Sequence, residues 1–312
     1  MQNIIDKVFQ NIINYFLINK KYKLYKIFFF LFKNLIKGPF ILNFNDYKFF
    51  SSPQKKNLSR WMLKNLKPWD LGTINLINNI LANDKSIFID FGVNYGAYSI
   101  PISKKKINST IVCFDPSKKA LNDLKKNIKL NNSKNIKYYN YGISDTISKS
   151  FFSDDISDFK NSGEYSFVKS KSSYRVETTT LDVFFKNFNF KIYKIIIIIL
   201  DIEGYEFNAL MGMGKILRKD NVVIFFELSR MMLNNKNFNF KNFTKFININ
   251  NLRILDLNLN RINLKHILYK FSMLEKKNTI GDYILVKNTF NNIKKFKKKL
   301  WLLEFSILKF VK

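Results

Sequence analysis

Ile195-Ile196-Ile197-Ile198-Ile199-Leu200-Asp201-Ile202-Glu203-Gly204-Tyr205-Glu206 decides the fold class. Six aliphatic residues stand in a row with no polar alternation. A strand wet on one face alternates, so this run reads as a strand covered on both faces, as in a parallel sheet between helical layers. The strand is expected over 192–201, followed by a helix over 207–217 and a second apolar strand over 221–227 that closes on Glu227. Upstream, apolar runs at 86–91, 110–115 and 136–141 alternate with helical stretches at 97–106 and 118–131. Two late strands are expected at 253–257 and 283–286. Such alternation implies a mostly parallel sheet with helices on both faces.

Composition narrows the chemistry. The 312 residues are 46% apolar and 16% aromatic, ample for a packed core. A single cysteine, Cys113, excludes an internal disulfide and a Cys-ligated zinc module. A single histidine, His266, excludes His-rich metal sites, and its place between the two late strands reads as surface. Carboxylates, hydroxyls, amides and backbone remain. The net charge of +30 comes from 53 basic residues, of which only Arg60, Arg175, Arg218, Arg230, Arg253 and Arg261 are arginine. Nucleic-acid readers lean on the planar arginine fork, so the charge is not read as nucleic-acid binding. The chain is rich in Lys, Asn, Ile, Phe and Tyr, all with A/T-rich codons, and coding bias accounts for much of the lysine excess. An anionic membrane surface or an anionic substrate is the alternative.

Three regions are expected. Residues 1–82 carry a helix over 3–19, with Ile5, Phe9, Ile12 and Phe16 at helical spacing, and a second helical or interfacial stretch to about Ile36. Gly38-Pro39 breaks it, and a hairpin follows over 40–50. Residues 83–290 form the main domain, with polar 150–180 as an insertion or lid. Residues 291–312 read as a basic amphipathic helix with Phe296, Leu300, Leu303, Ile307 and Phe310 on one face, suited to lying on an anionic membrane or to docking on the sheet domain. No run reaches the ~18 apolar residues of a spanning helix, and no signal-peptide pattern is seen, so a cytoplasmic protein, peripheral to the membrane if attached at all, is expected.

The strongest local chemistry lies in Asp90-Phe91-Gly92-Val93-Asn94-Tyr95-Gly96, where a strand turns into a helix. Gly92 and Gly96 allow a sharp turn and close ligand approach. The dinucleotide fingerprint and the Walker lysine are both absent. An acid at the strand end disfavours a pyrophosphate and suits a ligand carrying an ammonium group, which points to S-adenosylmethionine, with Asp90 near its aminoacyl end. Asp115 ends the second strand, where its two oxygens can take the ribose hydroxyls; capping the helix over 118–131 is its other reading. Gly142, after the third strand, marks where an adenine would lie. In an open parallel sheet, ligands bind beyond the carboxyl ends of the strands, so Asp201, Glu203 and Glu227 project over the same crevice as Asp90. Carboxylates gathered this way raise one another's pKa values, as a general base or a metal site requires. Glu206 reads as a charge complementing a helix N-terminus.

These segments together resemble the FkbM-type methyltransferases, S-adenosylmethionine-dependent enzymes. The resemblance runs from about Phe88 to Glu227. It rests on Phe88 to Ser99, Phe114-Asp115-Pro116, Leu124-Lys125-Lys126-Asn127 with Asn131, Thr180-Leu181-Asp182 and Asp201-Ile202-Glu203-Gly204-Tyr205-Glu206. Position 115 is Asp where the family usually carries Glu, and Pro101 falls inside the first helix, where a kink is expected. The resemblance implies a seven-stranded Rossmann-like sheet with the last strand antiparallel. It implies methyl transfer to a hydroxyl, often on a sugar or another small molecule. Asp201 is then the first candidate for the proton-accepting or cofactor-orienting role and Glu203 the second. Asp90, Gly92, Asn94, Gly96, Asp115 and Gly142 are the cofactor candidates. No metal is expected; Mg²⁺ on Asp201 and Glu227 ranks lower for want of a third ligand. A non-catalytic membrane-surface or nucleic-acid binding protein is the reading from a different class.

Overall fold

The isoleucine run sorts its side chains between two cores in the computed structural model, which describes residues 2–52, 58–81, 85–153, 173–235, 238–273 and 279–290. Ile195, Ile197 and Ile199 join one apolar cluster with Phe88, Ile111 and Val223. Ile196, Ile198 and Leu200 join the other with Ile87, Ile89 and Ile224. Alternation thus exists between faces that are both dry, and the sequence shows it as an unbroken apolar run.

The chain begins with helices α1 (Gln2–Ile18) and α2 (Tyr22–Phe32) and a hairpin of β1 (Phe40–Asn43) and β2 (Lys48–Ser51). Helices α3 (Leu58–Asn65) and α4 (Leu71–Ile80) lead into β3 (Ser86–Phe91). Then come α5 (Ser99–Lys105), β4 (Thr110–Phe114), α6 (Lys118–Asn131) and β5 (Ile136–Tyr139). Strands β6 (Gly142–Ile143), β7 (Ser148–Phe152) and β8 (Tyr174–Thr179) form a small sheet in the order β6-β8-β7. After α7 (Leu181–Phe184) follow β9 (Ile195–Leu200), α8 (Glu206–Met211), β10 (Val222–Ser229), α9 (Arg230–Asn234) and α10 (Phe240–Ile249). The last described elements are β11 (Leu252–Leu255), β12 (Arg261–Ile262), α11 (Leu264–Met273) and β13 (Thr279–Lys287).

The main sheet has the order β12-β11-β13-β10-β9-β3-β4-β5. Strands β5, β4, β3, β9 and β10 run parallel, and β13 is antiparallel to both β10 and β11. This is the expected Rossmann-like sheet with a late antiparallel strand. The strand order reverses beside β3, between β4 and β9, so the ligand crevice of an open sheet opens at their carboxyl ends. The two-residue β12 extends the sheet by one short edge strand, because Asp256 folds the chain back: its carboxylate accepts the Asn260 N–H at 2.7 Å.

Three local expectations change. The third strand stops at Tyr139, and Gly142 belongs to the small sheet, paired with Thr178. Between them, the Asn140 amide donates to the Asp115 and Pro116 carbonyls, which draws the chain across the tip of β4. The helix expected over 207–217 ends at Met211, where Gly212 packs so closely that a β-carbon would lie 2.2 Å from the Ser144 carbonyl oxygen. Pro101 breaks no helical hydrogen bond, since α5 starts at Ser99 and the first turn has no N–H to lose. The 291–312 segment and 154–172 of the expected lid lie outside the described residues.

The N-terminal elements share the core of the main sheet: Phe9, Ile13, Tyr25 and Phe29 lie in one cluster with Phe88 and Ile197. The hairpin is held to α6 by two asparagines. Asn131 accepts the Lys48 N–H and donates to the Lys48 carbonyl, both at 2.7 Å. Asn127 accepts the Phe50 N–H and donates to the Tyr95 carbonyl, each at 2.9 Å. Among the described residues no helix is long and apolar enough to cross a membrane.

Candidate functional site

After β3 the backbone turns through three left-handed residues, Gly92 (φ 79°), Asn94 (φ 50°) and Gly96 (φ 94°). The turn is pinned to the end of β4: Gly92 and Val93 donate to the Phe114 carbonyl, and the Asn94 N–H donates to Asp115 Oδ2 at 2.8 Å. The positive φ at both glycines is the sharp turn expected of them, and packing adds a second reason for each. A β-carbon on Gly92 would lie 1.9 Å from the Asp201 carbonyl oxygen, and one on Gly96 2.7 Å from Leu124 Cδ1. The space beside them is filled by protein, and Gly92 lets the ends of β3 and β9 meet.

Around this junction stand five carboxylates. Asp90, at the fifth position of β3, is buried; its Oδ2 accepts the Ser99 hydroxyl proton at 2.5 Å and its Oδ1 has no partner. Burial pushes its pKa up to about 7, the Asp201 and Asp115 charges add to the rise, and Ser99 opposes it. Asp115 is buried too, with Oδ1 accepting the Ser117 N–H at 2.8 Å opposite the bond from Asn94. The cap of α6 is Ser117, whose hydroxyl accepts the Ala120 N–H, so the helix-capping reading of Asp115 gives way to one of anchoring the glycine turn.

Asp201 follows β9, its N–H bound to the Phe91 carbonyl at 3.1 Å. It is half-buried, and no side-chain hydrogen bond satisfies it among the described residues. Burial, then the charges of Asp282 and Asp70, push its pKa up to about 7. Those two neighbours were missed in the sequence. Asp70 caps α4, accepting the Thr73 N–H at 3.2 Å, and its other oxygen accepts the Tyr98 phenol proton at 3.0 Å. Burial and the Asp201, Asp70 and Asp282 charges hold that phenol protonated well above its ordinary range. Asp282 comes from the start of β13, and burial with the Asp70 charge moves it to about 6. The signal for Asp282 was available: an antiparallel strand enters the sheet at the edge where its parallel neighbours leave. Asp70 lies in a stretch for which the sequence offered no functional signal.

The loop after Asp201 is shaped from within. Glu203 (φ 52°) and Gly204 (φ 98°) form a left-handed turn, and Glu206 Oε1 accepts the Ile202 and Gly204 N–H groups at 3.2 and 3.1 Å. Glu206 is wholly buried, its Oε2 has no partner, and burial raises its pKa to about 7. It does more than complement a helix end: it folds the loop that carries Asp201. Glu203 is half-buried in that turn. Glu227 lies two residues before the end of β10, facing Asp282 across the ladder, rather than closing the strand.

The remaining motif residues are clamps. Thr180 caps α7, and both Asp182 oxygens accept the Lys215 N–H at 3.0 and 2.9 Å. His266 is exposed on α11. Among the described residues no group of three or more His, Cys, Asp or Glu side chains is arranged to hold a metal ion.

A search of curated proteins gives no match. Solved structures that resemble the chain include a precorrin-6y C5,15-methyltransferase from Geobacter metallireducens, 9% identical over 70% of this chain and 89% of that one, with a TM-score of 0.37. M. jannaschii TYW2 in complex with AdoMet is 12% identical over 80% and 85% of the two chains, TM-score 0.39. An rRNA methylase from Streptococcus thermophilus is 12% identical over 71% and 96%, TM-score 0.37. The family model of the methyltransferase FkbM domain matches residues 90–254, from the buried acid of β3 to β11 and over half of the sequence, so the chain belongs to this family of S-adenosylmethionine-dependent methyltransferases.

Proposed function

We propose that the protein methylates a hydroxyl group, on a sugar of a glycan or a related small molecule, with Asp201 taking the hydroxyl proton. The observation that carries this reading is Asp201 itself: a half-buried carboxyl with no donor of its own and a pKa near 7, beside the strand-order reversal. A carboxylate so raised accepts a proton at neutral pH far better than one at an ordinary pKa. Glu203, on the same loop, is the second candidate.

The acidic lining fits S-adenosylmethionine, whose ammonium and sulfonium are both cationic. The unpartnered Asp90 Oδ1 suits the ammonium, and Asp115, held by two backbone N–H groups, suits the ribose hydroxyls. The backbone of Gly92, Asn94 and Gly96 lines the turn between them, and Gly142 lies past the end of β5, on the side assigned to the adenine. When bound, S-adenosylmethionine supplies an electrophilic methyl group. Asp201 then holds the acceptor hydroxyl in line and removes its proton, while Asp70 and Tyr98 keep the neighbouring wall polar. The sugar acceptor rests on the family resemblance.

The test is transfer of labelled methyl from S-adenosylmethionine to a panel of mono- and oligosaccharides, with the product analysed for alkali-stable methyl ethers. Asp201→Asn should lower kcat by about a hundredfold or more, with calorimetric cofactor affinity little changed. Label found only on nitrogen or carbon would refute the hydroxyl acceptor. An Asn variant that loses affinity and keeps kcat would move Asp201 to orienting the cofactor.

A further inference from the structure

Helices α1 and α2 are apolar on two opposite sides, and among the described residues only one side is covered. On α1, Phe9 and Ile13 are buried, whereas Ile4, Val8, Tyr15 and Ile18 are 68, 53, 51 and 78% exposed. At 3.6 residues per turn these four fall in one stripe roughly 80° wide, away from the buried pair. On α2, Tyr25 and Phe29 are buried, while Leu24, Ile27, Phe30 and Leu31 are 55, 61, 69 and 63% exposed. A helix apolar all round belongs inside a core or against hydrocarbon. Here the inner face already has its core.

The charges beside these stripes choose the occupant. Residues 1–37 hold Lys7, Lys20, Lys21, Lys23, Lys26, Lys33 and Lys37 against one acid, Asp6. Asp6 is engaged internally, accepting the Lys37 N–H at 3.0 Å and the Gln2 amide at 3.2 Å. The Lys33 ammonium stands 4.9 Å from the centre of the exposed Phe30 ring, so cation and apolar surface are contiguous. A second copy would bring one lysine cluster against another. The chain's own 291–312 segment, with Lys294, Lys295, Lys297, Lys298 and Lys299, has the same sign. An anionic bilayer has the opposite sign and an apolar layer beneath it. Apolar side chains enter below the headgroups while lysine stems reach back to the phosphates.

We propose that α1 and α2 hold the protein on an anionic lipid bilayer, lying in the plane of the interface. At 17 and 11 residues they lie along the surface rather than cross it. The full chain should cofloat with phosphatidylcholine vesicles containing phosphatidylglycerol, and not with phosphatidylcholine alone, at physiological salt. Ile27→Glu/Leu31→Glu alters only exposed side chains and should lower partitioning about tenfold or more, with the thermal midpoint kept. Lys23→Gln/Lys26→Gln, which removes no apolar surface, should weaken binding and flatten its salt dependence. Unchanged binding by the glutamate pair would overturn the proposal. So would binding abolished only by Leu300→Glu/Leu303→Glu, which would assign the contact to the C-terminal segment. A parent chain that ignores the vesicles and dimerises through these helices would overturn it as well.

Discussion

A β-carbon on Gly92 would stand 1.9 Å from the Asp201 carbonyl oxygen, so only a glycine lets the two backbones meet there. By letting β3 and β9 touch, it brings Asp90 and Asp201 to one crevice, where the Asp201 charge adds to the rise in the proton affinity of Asp90. Glu206 shows the cost of such burial, to which the Asp201 charge adds. Its folded pKa of about 7 lies above the ordinary 4.5, so its contribution favours the folded state below about pH 4.5. That contribution is lost as pH rises through 7, by about 1.4 kcal/mol per unit within the window. Glu206→Gln keeps an oxygen for the Ile202 and Gly204 N–H groups and removes the charge. In urea unfolding the variant should gain on the parent at pH 8 relative to pH 5. A stability difference identical at both values would show that Glu206 does not titrate in this range.

At the scale of elements, Asn127 ties three pieces together: α6, the hairpin strand β2 and the glycine turn. Asn127→Ala leaves the Phe50 N–H and the Tyr95 carbonyl without this partner, each worth about 1–3 kcal/mol when buried. Urea unfolding should register a loss of about 2–4 kcal/mol, and calorimetry a weaker S-adenosylmethionine affinity, because Tyr95 belongs to the turn. Asn131→Ala should loosen the hairpin and leave affinity nearer the parent's. Equal affinity losses in both variants would mean that the hairpin itself, and not the bond to Tyr95, steadies the turn. The sheet was legible because periodicity is local: 195–200 needs no partner to be recognised as a strand. Asn127, Asn131 and Asp182 were legible only as parts of a pattern. Their bonds reach partners 77, 83 and 33 residues away, and no local rule encodes those distances. The short turns at Asn140 and Gly212 escaped for the same reason, being fixed by contacts with β4 and with Ser144.

Taken whole, the molecule sets a crevice of carboxylates in a chain with 53 basic and 23 acidic residues. Asp90, at about 7, holds a proton over part of the neutral range that a cationic ligand must displace, so cofactor affinity should depend on pH. The S-adenosylmethionine Kd should rise below pH 7, by up to about tenfold per unit for each proton displaced. S-adenosylhomocysteine, which lacks the sulfonium charge, should show a shallower slope in the same calorimetric titration. Parallel slopes for the two would separate proton loss from recognition of that charge. Asp70 stayed hidden in the sequence because it enters the crevice from the far N-terminal side of the motifs, whereas Asp282 could have been found from the direction of its strand. The position of β13 also has a kinetic consequence. It is inserted between β10 and β11, yet it is made after both, 50 residues beyond the end of β10. At ribosomal speeds of ~5–20 residues per second, Val222 to Ser229 waits ~3–10 s with one edge unpaired. That edge carries Val-Val-Ile-Phe-Phe, an aggregation-prone composition, so the nascent chain must shield it until the strand that brings Asp282 to the crevice emerges.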